Sequence, residues 1–222
     1  MISGLLILQL WISSCKQSNN QNEGRGKTVE FNQRLADELK AMGVIDQIAA
    51  GVPQGKFKNW DQFNPFKDSV FSTHKIRLEE IFNQFGYPGY SLVGDEGESN
   101  FWKMIQHCDA FPEFQSKVLE KLEKEVAYGN ADRRNFGLLT DRVKLNTGEK
   151  QIYGTQVTYN SLGQAFPRPL ADSASVNGRR RDVGLEPLEQ YLNVMTQMHF
   201  EMNKEYLMSK GITEPKLYKL KN

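Results

Sequence analysis

Cysteine is scarce in this chain, since only Cys15 and Cys108 occur among its 222 residues. The disulfide framework that holds many small secreted domains together needs several cysteine pairs. If Cys15 carries a lipid, as the N-terminal segment suggests, Cys108 has no disulfide partner in its own chain. The fold must then be stabilised by a hydrophobic core, and a hydrophobic content of 39% is sufficient to form one.

An excess of charge of one sign is also missing, because 28 Lys and Arg residues nearly balance 27 Asp and Glu residues. Proteins that bind nucleic acid through its phosphates carry a basic excess. The composition therefore argues against nucleic acid as a partner. The apolar stretch from Gly4 to Ile12 is too short to span a bilayer, which requires roughly 20 residues.

The N-terminal segment instead has the features of a lipoprotein signal peptide. The stretch from Gly4 to Ile12 fits the hydrophobic region of such a signal, and Ile12-Ser13-Ser14-Cys15 is similar to the bacterial lipobox, whose cysteine is acylated. Residues 16–27 then form a polar tether, and residues 28–222 a single globular domain. We expect a bacterial protein anchored to the membrane of the cell envelope through Cys15. The alternative is a cytosolic protein with an apolar N-terminus.

Hydrophobic periodicity predicts a mainly α fold, with about six helices and one β-hairpin packed against them. Apolar residues recur every three or four positions in most of the chain, and Asp109 is a candidate N-cap for the fourth helix. Residues 52–65 and 161–184 are predicted to be irregular. The predicted helices span residues 28–50, 67–85, 99–108, 109–129, 132–142 and 186–208, and the predicted hairpin pairs residues 143–145 with 151–159.

Three polar residues interrupt the apolar stripes of predicted helices. Asp46 follows Leu39 and Met42 on the first helix, His74 lies on the second, and Gln115 lies on the fourth. Burial of a polar group without a partner is costly, so we expect Asp46 to be buried with partners. Two interpretations remain open: the three residues share an internal polar site, or each is satisfied locally.

The sequence Gln106-His107-Cys108-Asp109 is the main candidate for chemistry. A histidine at a helix end beside a cleft is suited to general acid–base catalysis, because its pKa lies near neutral pH. The alternative is a solvated histidine followed by a capping aspartate. The chain has neither a His-Glu-x-x-His motif nor a cysteine pair, so we predict no metal site. His199, between Met195 and Met202, is interpreted as a packing residue.

Further candidates lie near the predicted hairpin. Thr140-Asp141-Arg142 precedes it, and Tyr153-Gly154-Thr155-Gln156 lies on its second strand, where a glycine indicates a bulge or a close backbone approach. Arg179-Arg180-Arg181 could hold an anion, because guanidinium groups match phosphate and carboxylate geometry. A solvated loop is the alternative interpretation of the arginine run.

Taken in order, these motifs resemble an uncharacterised bacterial family, the domain of unknown function 6624, over about residues 28–195. The resemblance is carried by Gly86-Tyr87-Pro88-Gly89, Gln106-His107-Cys108-Asp109, Phe114-Gln115, Leu139-Thr140-Asp141-Arg142, Gln151-Ile152-Tyr153-Gly154-Thr155-Gln156, Arg180-Arg181, Gly184-Leu185 and Tyr191. It implies a shared fold and a shared set of polar positions, but no activity. Those positions are Asp46, Gln47, His74, Gln106, His107, Asp109, Gln115, Asp141, Arg142, Tyr153, Gln156 and Arg181.

The leading functional hypothesis is an envelope hydrolase or transferase that uses His107 as acid or base, with Asp109 or Asp141 orienting it. The cofactor is unknown. A small-molecule or anionic ligand is expected, and the residues assigned to bind it are Gln106, Gln115, Arg142, Tyr153, Gln156 and Arg181. The alternative is a non-catalytic binding or interaction module on a lipid tether. Because element ends and loops carry function, His107, Asp141, Gln156 and Arg181 are predicted to meet in one cleft.

The lipid anchor can be tested directly. In a bacterial host, Cys15→Ala removes the only acylation site of the lipobox, so the protein should move from the membrane fraction to the soluble fraction. The measurement is fractionation followed by detection of the chain in each fraction. Unchanged membrane association of the variant would rule out the anchor.

Overall fold

A computed structural model describes residues 30–220. The predicted signal peptide, the lipidated Cys15 and the tether lie outside the described residues, as does the predicted start of the first helix at residue 28. The structure is 63% helical, with eight α-helices and a two-stranded antiparallel hairpin within the described residues. The predicted mainly α class is therefore confirmed. No helix between residues 30 and 220 is long and apolar enough to cross a membrane.

The elements follow one another along the chain with short connections. In order they are α1 (Gln33–Ala49), α2 (Trp60–Phe85), α3 (Tyr90–Gln106), α4 (Pro112–Ala127), α5 (Arg133–Asn146), β1 (Val157–Tyr159), β2 (Ala165–Pro167), α6 (Val176–Asp182), α7 (Leu188–Met202) and α8 (Lys204–Ser209).

Asparagine side chains set the start of the first two helices. Asn32 accepts a hydrogen bond from the Leu35 amide, and Asn59 accepts one from the Gln62 amide, so each satisfies a free N–H group of its helix. The prediction that residues 52–65 are irregular is thus wrong in its last part. Pro65 lies inside α2, where it lacks the N–H that would bond to the carbonyl four positions earlier and its ring crowds that carbonyl.

The hairpin prediction placed its first strand wrongly. Residues 143–145 belong to α5, because Leu139 and Val143 are both buried and lie four residues apart on one helical face. The hairpin forms further along the chain, where Thr158 pairs with Phe166 across β1 and β2. Only the end of the predicted second strand, residues 157–159, is a strand in the structure.

The C-terminal third also contains more regular structure than predicted. Residues 161–184 include β2, a 3-10 turn at Ser173–Ser175 and helix α6. The predicted last helix is divided in two at Asn203, whose φ of −119° departs from helical geometry. The additional helices raise the number from the predicted six to eight within the described residues.

Buried apolar residues form two clusters. The first lies among helices α1 to α5 and includes Leu39, Phe101 and Leu139. The second packs the hairpin against α6 and α7 and includes Ala165 and Leu192. The segment between α5 and β1 connects these two clusters, so the way it is held decides how the C-terminal part attaches to the helical part.

Asp141 makes this attachment. Its carboxylate is 0% exposed and accepts four hydrogen bonds from the loop of residues 151–156. The donors are the amides of Ile152, Tyr153 and Thr155 and the hydroxyl of Thr155, at 2.6 to 2.9 Å. Backbone amides in an irregular buried segment need partners, and a single side chain of α5 supplies the partner for three of them.

The carbonyl groups of the same loop are bonded from the other side. Arg179 donates to the Ile152 carbonyl, Arg180 to the Tyr153 carbonyl, and Tyr191 to the Thr155 carbonyl, at 2.7 to 2.9 Å. Gly154 within the loop has a φ of +75°, and a Cβ there would lie 2.9 Å from Leu188. The close backbone approach expected at this glycine is therefore present.

Asp141→Asn should destabilise the fold strongly. The amide keeps the shape of the carboxylate but loses its charge and turns an NH₂ group toward loop donors, so the free energy of unfolding should fall by about 3 kcal/mol. Urea unfolding measures this difference. Asp182→Asn, at an exposed carboxylate, should change it by less than about 0.5 kcal/mol. Equal small effects of the two substitutions would contradict the role assigned to Asp141.

Candidate functional site

The three polar residues that interrupt the helical stripes are all buried. Asp46 is 1% exposed, as predicted, and His74 and Gln115 are buried with it. They do not form one shared contact. Asp46 and His74 approach each other, whereas Gln115 bonds to the Ile105 carbonyl and to Asp109. Asp46 and His74 thus share a polar site, as one interpretation proposed, whereas Gln115 is satisfied by other partners, as the alternative proposed.

Asp46 and His107 form a carboxylate–imidazole pair. The Nδ1 atom of His107 lies 3.0 Å from Oδ1 of Asp46 and 2.9 Å from Oδ2. A deprotonated carboxylate only accepts hydrogen bonds, so Nδ1 is the protonated donor and Nε2 is left for a ligand. The pair joins the C-terminal half of α1 to His107, the C-cap residue that follows α3.

His74 on α2 lies on the same carboxylate. Its Nδ1 atom is 3.7 Å from Oδ1 of Asp46, which is too long for a hydrogen bond. This nitrogen is buried and has no hydrogen-bond partner among the described residues. Gln47 completes the surroundings with a 3.1 Å bond to Oδ2 of Asp46. One buried carboxylate is thus flanked by two imidazoles.

The electrostatics of this cluster keep Asp46 ionised. Burial by itself raises the pKa of the carboxyl group, but the imidazoles of His107 and His74 and the Gln47 amide oppose it, and the net pKa lies below the ordinary value of 3.8. Asp46 is therefore an anion at neutral pH. It can hold the His107 ring in one orientation and stabilise a positive charge that forms on it.

His107 also lines an open cavity of about 340 Å³. Its lining is formed by Ala50, Lys67, Phe71, His107 and Asp109. The His107 side chain is 26% exposed, and its ring stacks on Phe71 with centroids 4.7 Å apart and an angle of 19°. The stack and the bond to Asp46 fix the ring, while leaving one edge accessible to a small ligand.

Asp109 does not cap α4, contrary to the prediction. The residue before the helix is Phe111, and its side chain makes no cap bond. Asp109 instead accepts bonds from Arg142 at 2.7 Å, Asn146 at 2.8 Å and Gln115 at 3.2 Å. Its charge is engaged by side chains from α4 and α5, so it cannot bond the neighbouring α4 amides. It borders the cavity but makes no hydrogen bond to His107.

The remaining predicted ligand-binding residues lie elsewhere or are engaged. Gln106 ends α3 and is half-buried. Tyr153 and Gln156 belong to the loop that Asp141 holds, and Gln156 bonds to the Thr155 hydroxyl at 3.3 Å. Arg181 is 82% exposed and has only a loose contact with Asp182 at 3.9 Å. The buried arginine of the run is Arg180, at 0% exposure.

Of the four residues predicted to meet in one cleft, His107 lines the cavity, whereas Asp141, Gln156 and Arg181 do not. Asp141 and Gln156 are connected through Thr155. His107 has hydrogen bonds to neither of them nor to Arg181 among the described residues, and Arg181 extends into solvent. Asp141 is directed instead at the loop of residues 151–156, whose amides it binds. Asp141 is saturated by four donors and has no acceptor capacity directed at a ligand.

Residues missed by sequence reasoning complete the cavity. Lys67 and Phe71 both lie within the predicted helix of residues 67–85, and neither belongs to a recognised motif. Their four-residue spacing on α2 places them on one face, which is the signal that could have joined them. Among the described residues, no group of three or more His, Cys, Asp or Glu side chains is arranged to hold a metal ion.

Comparison with known proteins identifies the family of this chain. The model of a family of unknown function, DUF6624, matches residues 34–202. The chain belongs to this family. The matched range contains both the Asp46–His107 pair and the Asp141-bound loop. No curated protein and no solved structure matches the chain significantly.

The lowered pKa of Asp46 predicts a specific dependence of stability on pH. Its ionised form stabilises the fold at pH values above the ordinary carboxyl pKa of 3.8, and this contribution is lost as the pH falls through the lower pKa of the folded protein. The difference in unfolding free energy between wild type and Asp46→Asn should therefore be present at pH values above about 4 and shrink below that pH. Chemical unfolding at a series of pH values measures it, and a difference independent of pH would contradict the assignment.

Proposed function

We propose that this protein is a hydrolase or transferase in which His107 is the general acid–base group and Asp46 orients it. Asp46 takes the role that sequence reasoning gave to Asp109 or Asp141. The observation that carries the proposal is the contact of a 1% exposed carboxylate with Nδ1 of a histidine that lines a cavity. The same arrangement of base and orienting carboxylate recurs in acyl-transfer enzymes of unrelated folds.

The chemistry follows from which nitrogen is free. With Nδ1 donating to Asp46, the neutral ring presents the lone pair of Nε2 toward the cavity. Nε2 removes a proton from an attacking hydroxyl group as that oxygen bonds to the electrophilic centre of the substrate. The imidazolium then returns the proton to the leaving group. The charge that appears on the ring lies beside the Asp46 anion, whose lowered pKa keeps it ionised.

The residues that line the cavity limit which group can act as the nucleophile. The lining contains no Ser, Thr or Cys side chain among the described residues, and the Cys108 thiol is buried, with its pKa raised to about 12 by burial and by the nearby carboxylates of Asp46 and Asp109. A covalent intermediate on such a side chain is therefore not part of the proposal. The attacking group is water in a hydrolase, or the hydroxyl of a second substrate in a transferase.

The second candidate is a non-catalytic binding module. It is favoured by the hydrogen-bond network in which Gln115, Arg142 and Asn146 hold the carboxylate of Asp109 at the edge of the cavity. A carboxylate that is fixed in one position suits recognition as well as catalysis. In this version the stacked His107 and Phe71 rings contact a small ligand that is released unchanged.

The cellular setting is part of the proposal. Support comes from the lipobox-like sequence ending at Cys15 and from the polar residues 16–27 that follow it. The protein would then be bound to the membrane of a bacterial envelope by a lipid, with the domain held on a short tether.

The test is turnover of a panel of chromogenic carboxylic esters, phosphate esters and glycosides by wild type and two variants. His107→Gln should lower kcat/KM by about 10²-fold to 10⁴-fold, because it removes the proton-transfer group. Asp46→Asn should lower it as well, because the amide NH₂ group can donate to Nδ1 and so stabilise the tautomer that carries its proton on Nε2. Thermal unfolding of both variants separates loss of activity from loss of fold.

His199→Gln is the matched control. His199 stacks on Tyr159 in the second cluster, with ring centroids 3.8 Å apart, and it does not line the cavity. Its substitution should leave turnover unchanged. Turnover that survives His107→Gln at the wild-type level would refute the catalytic proposal. Saturable ligand binding without product would favour the binding module.

A further inference from the structure

Lys67 is a half-buried cation in the wall of the cavity. Its ammonium group has no salt bridge with any residue in the range 30–220. Lys75, on the same helix, is paired with Glu79 at 2.7 Å. Because Lys67 lines the same cavity as His107, its ammonium group offers a charged donor to an external anion that enters the cavity.

Lys67 lies close to the catalytic ring. Its Nζ atom is 6.0 Å from the centroid of the Phe71 ring, on which His107 stacks at 4.7 Å. Lys67 and Phe71 are four residues apart on α2, so the helix fixes their spacing. A ligand of the size that a 340 Å³ cavity admits reaches both the ammonium group and the His107 edge.

Asp109 does not supply the missing counter-ion. It is the acidic residue of the lining, but its Oδ2 atom is bound by Arg142 at 2.7 Å, and its Oδ1 atom by Asn146 and Gln115. The two oxygens are thus engaged by side chains of α4 and α5. The cation of Lys67 on α2 remains available at the opposite part of the lining.

We propose that Lys67 binds an anionic group, a carboxylate or a phosphate, of the substrate on which His107 acts. This assignment rests on the proposed function and adds a substrate class to it: small anionic molecules whose reactive bond lies next to the charged group. It replaces Arg181, which is exposed, and Arg142, which is paired with Asp109, as the anion-binding residue.

The three histidines of the chain make the test simple. Carbon–proton NMR correlations of the imidazole rings give three signals, which His74→Gln, His107→Gln and His199→Gln assign. Inorganic phosphate and acetate are titrated separately into the full chain in detergent, at constant pH and ionic strength with chloride as the balancing anion. The His107 signal should shift saturably with at least one of them, and the preferred anion identifies phosphate or carboxylate as the substrate group.

Three lysine variants give the matched comparison. Lys67→Met keeps the length of the side chain but removes its charge, and it should weaken anion binding by about 10-fold or more. Lys67→Arg should retain most of it. Lys121→Met removes an exposed cation of α4 that does not border the cavity, and it should have no effect.

Each contrary result overturns the subsite. These results are the absence of a saturable shift in wild type, equal binding by Lys67→Met, or an equal loss in Lys121→Met, which would indicate only the general charge of the protein. None of these outcomes depends on turnover. The anion subsite and the catalytic role of His107, which is tested by the activity of His107→Gln, can therefore fail independently.

Discussion

The carboxylate of Asp141 is the contact on which the C-terminal half depends. The loop of residues 151–156 has almost no regular structure, yet it lies between two hydrophobic clusters, where unpaired amides would be costly. Asp141 binds three of its amides and one hydroxyl, and Arg180 and Tyr191 bind its carbonyls. The loop is therefore a fixed connector, and its position determines where the hairpin and α7 pack.

The buried and half-buried polar residues of this domain have two different roles, which explains why there are so many of them. Some of them, such as Asp141 and Gln151, replace the hydrogen bonds that a strand or helix would have supplied. Gln151 alone bonds the Gln156 carbonyl, the Gln156 amide and the Arg168 carbonyl. Others, such as Asp46 and His107, serve the cavity. In a sequence the two groups look alike, because both consist of polar residues in otherwise apolar surroundings.

Sequence reasoning succeeded where the signal is local. The stripe of α1 predicted the burial of Asp46, and the Gln106-His107 motif identified the histidine that lines the cavity. It failed for contacts between distant residues: Asp46 and His107 are 61 positions apart, and no periodicity shows that their helices meet at this point. The first strand of the hairpin was misplaced for a related reason, since packing of Val143 on the first cluster extends α5 beyond its apparent end.

The two buried aspartates differ in the chemistry of the groups that donate hydrogen bonds to them. The donors to Asp141 are backbone amides and a hydroxyl, which do not change their protonation at physiological pH. Its surroundings are thus constant, as a structural role requires. The donor to Asp46 is an imidazole, the side chain that gains and loses a proton near neutral pH. Protonation of His107 changes the interaction energy of the pair, and this coupling is what a general base and its orienting carboxylate need. The hydrogen bonds to Asp141 hold the fold, whereas the Asp46–His107 pair is suited to acid–base chemistry.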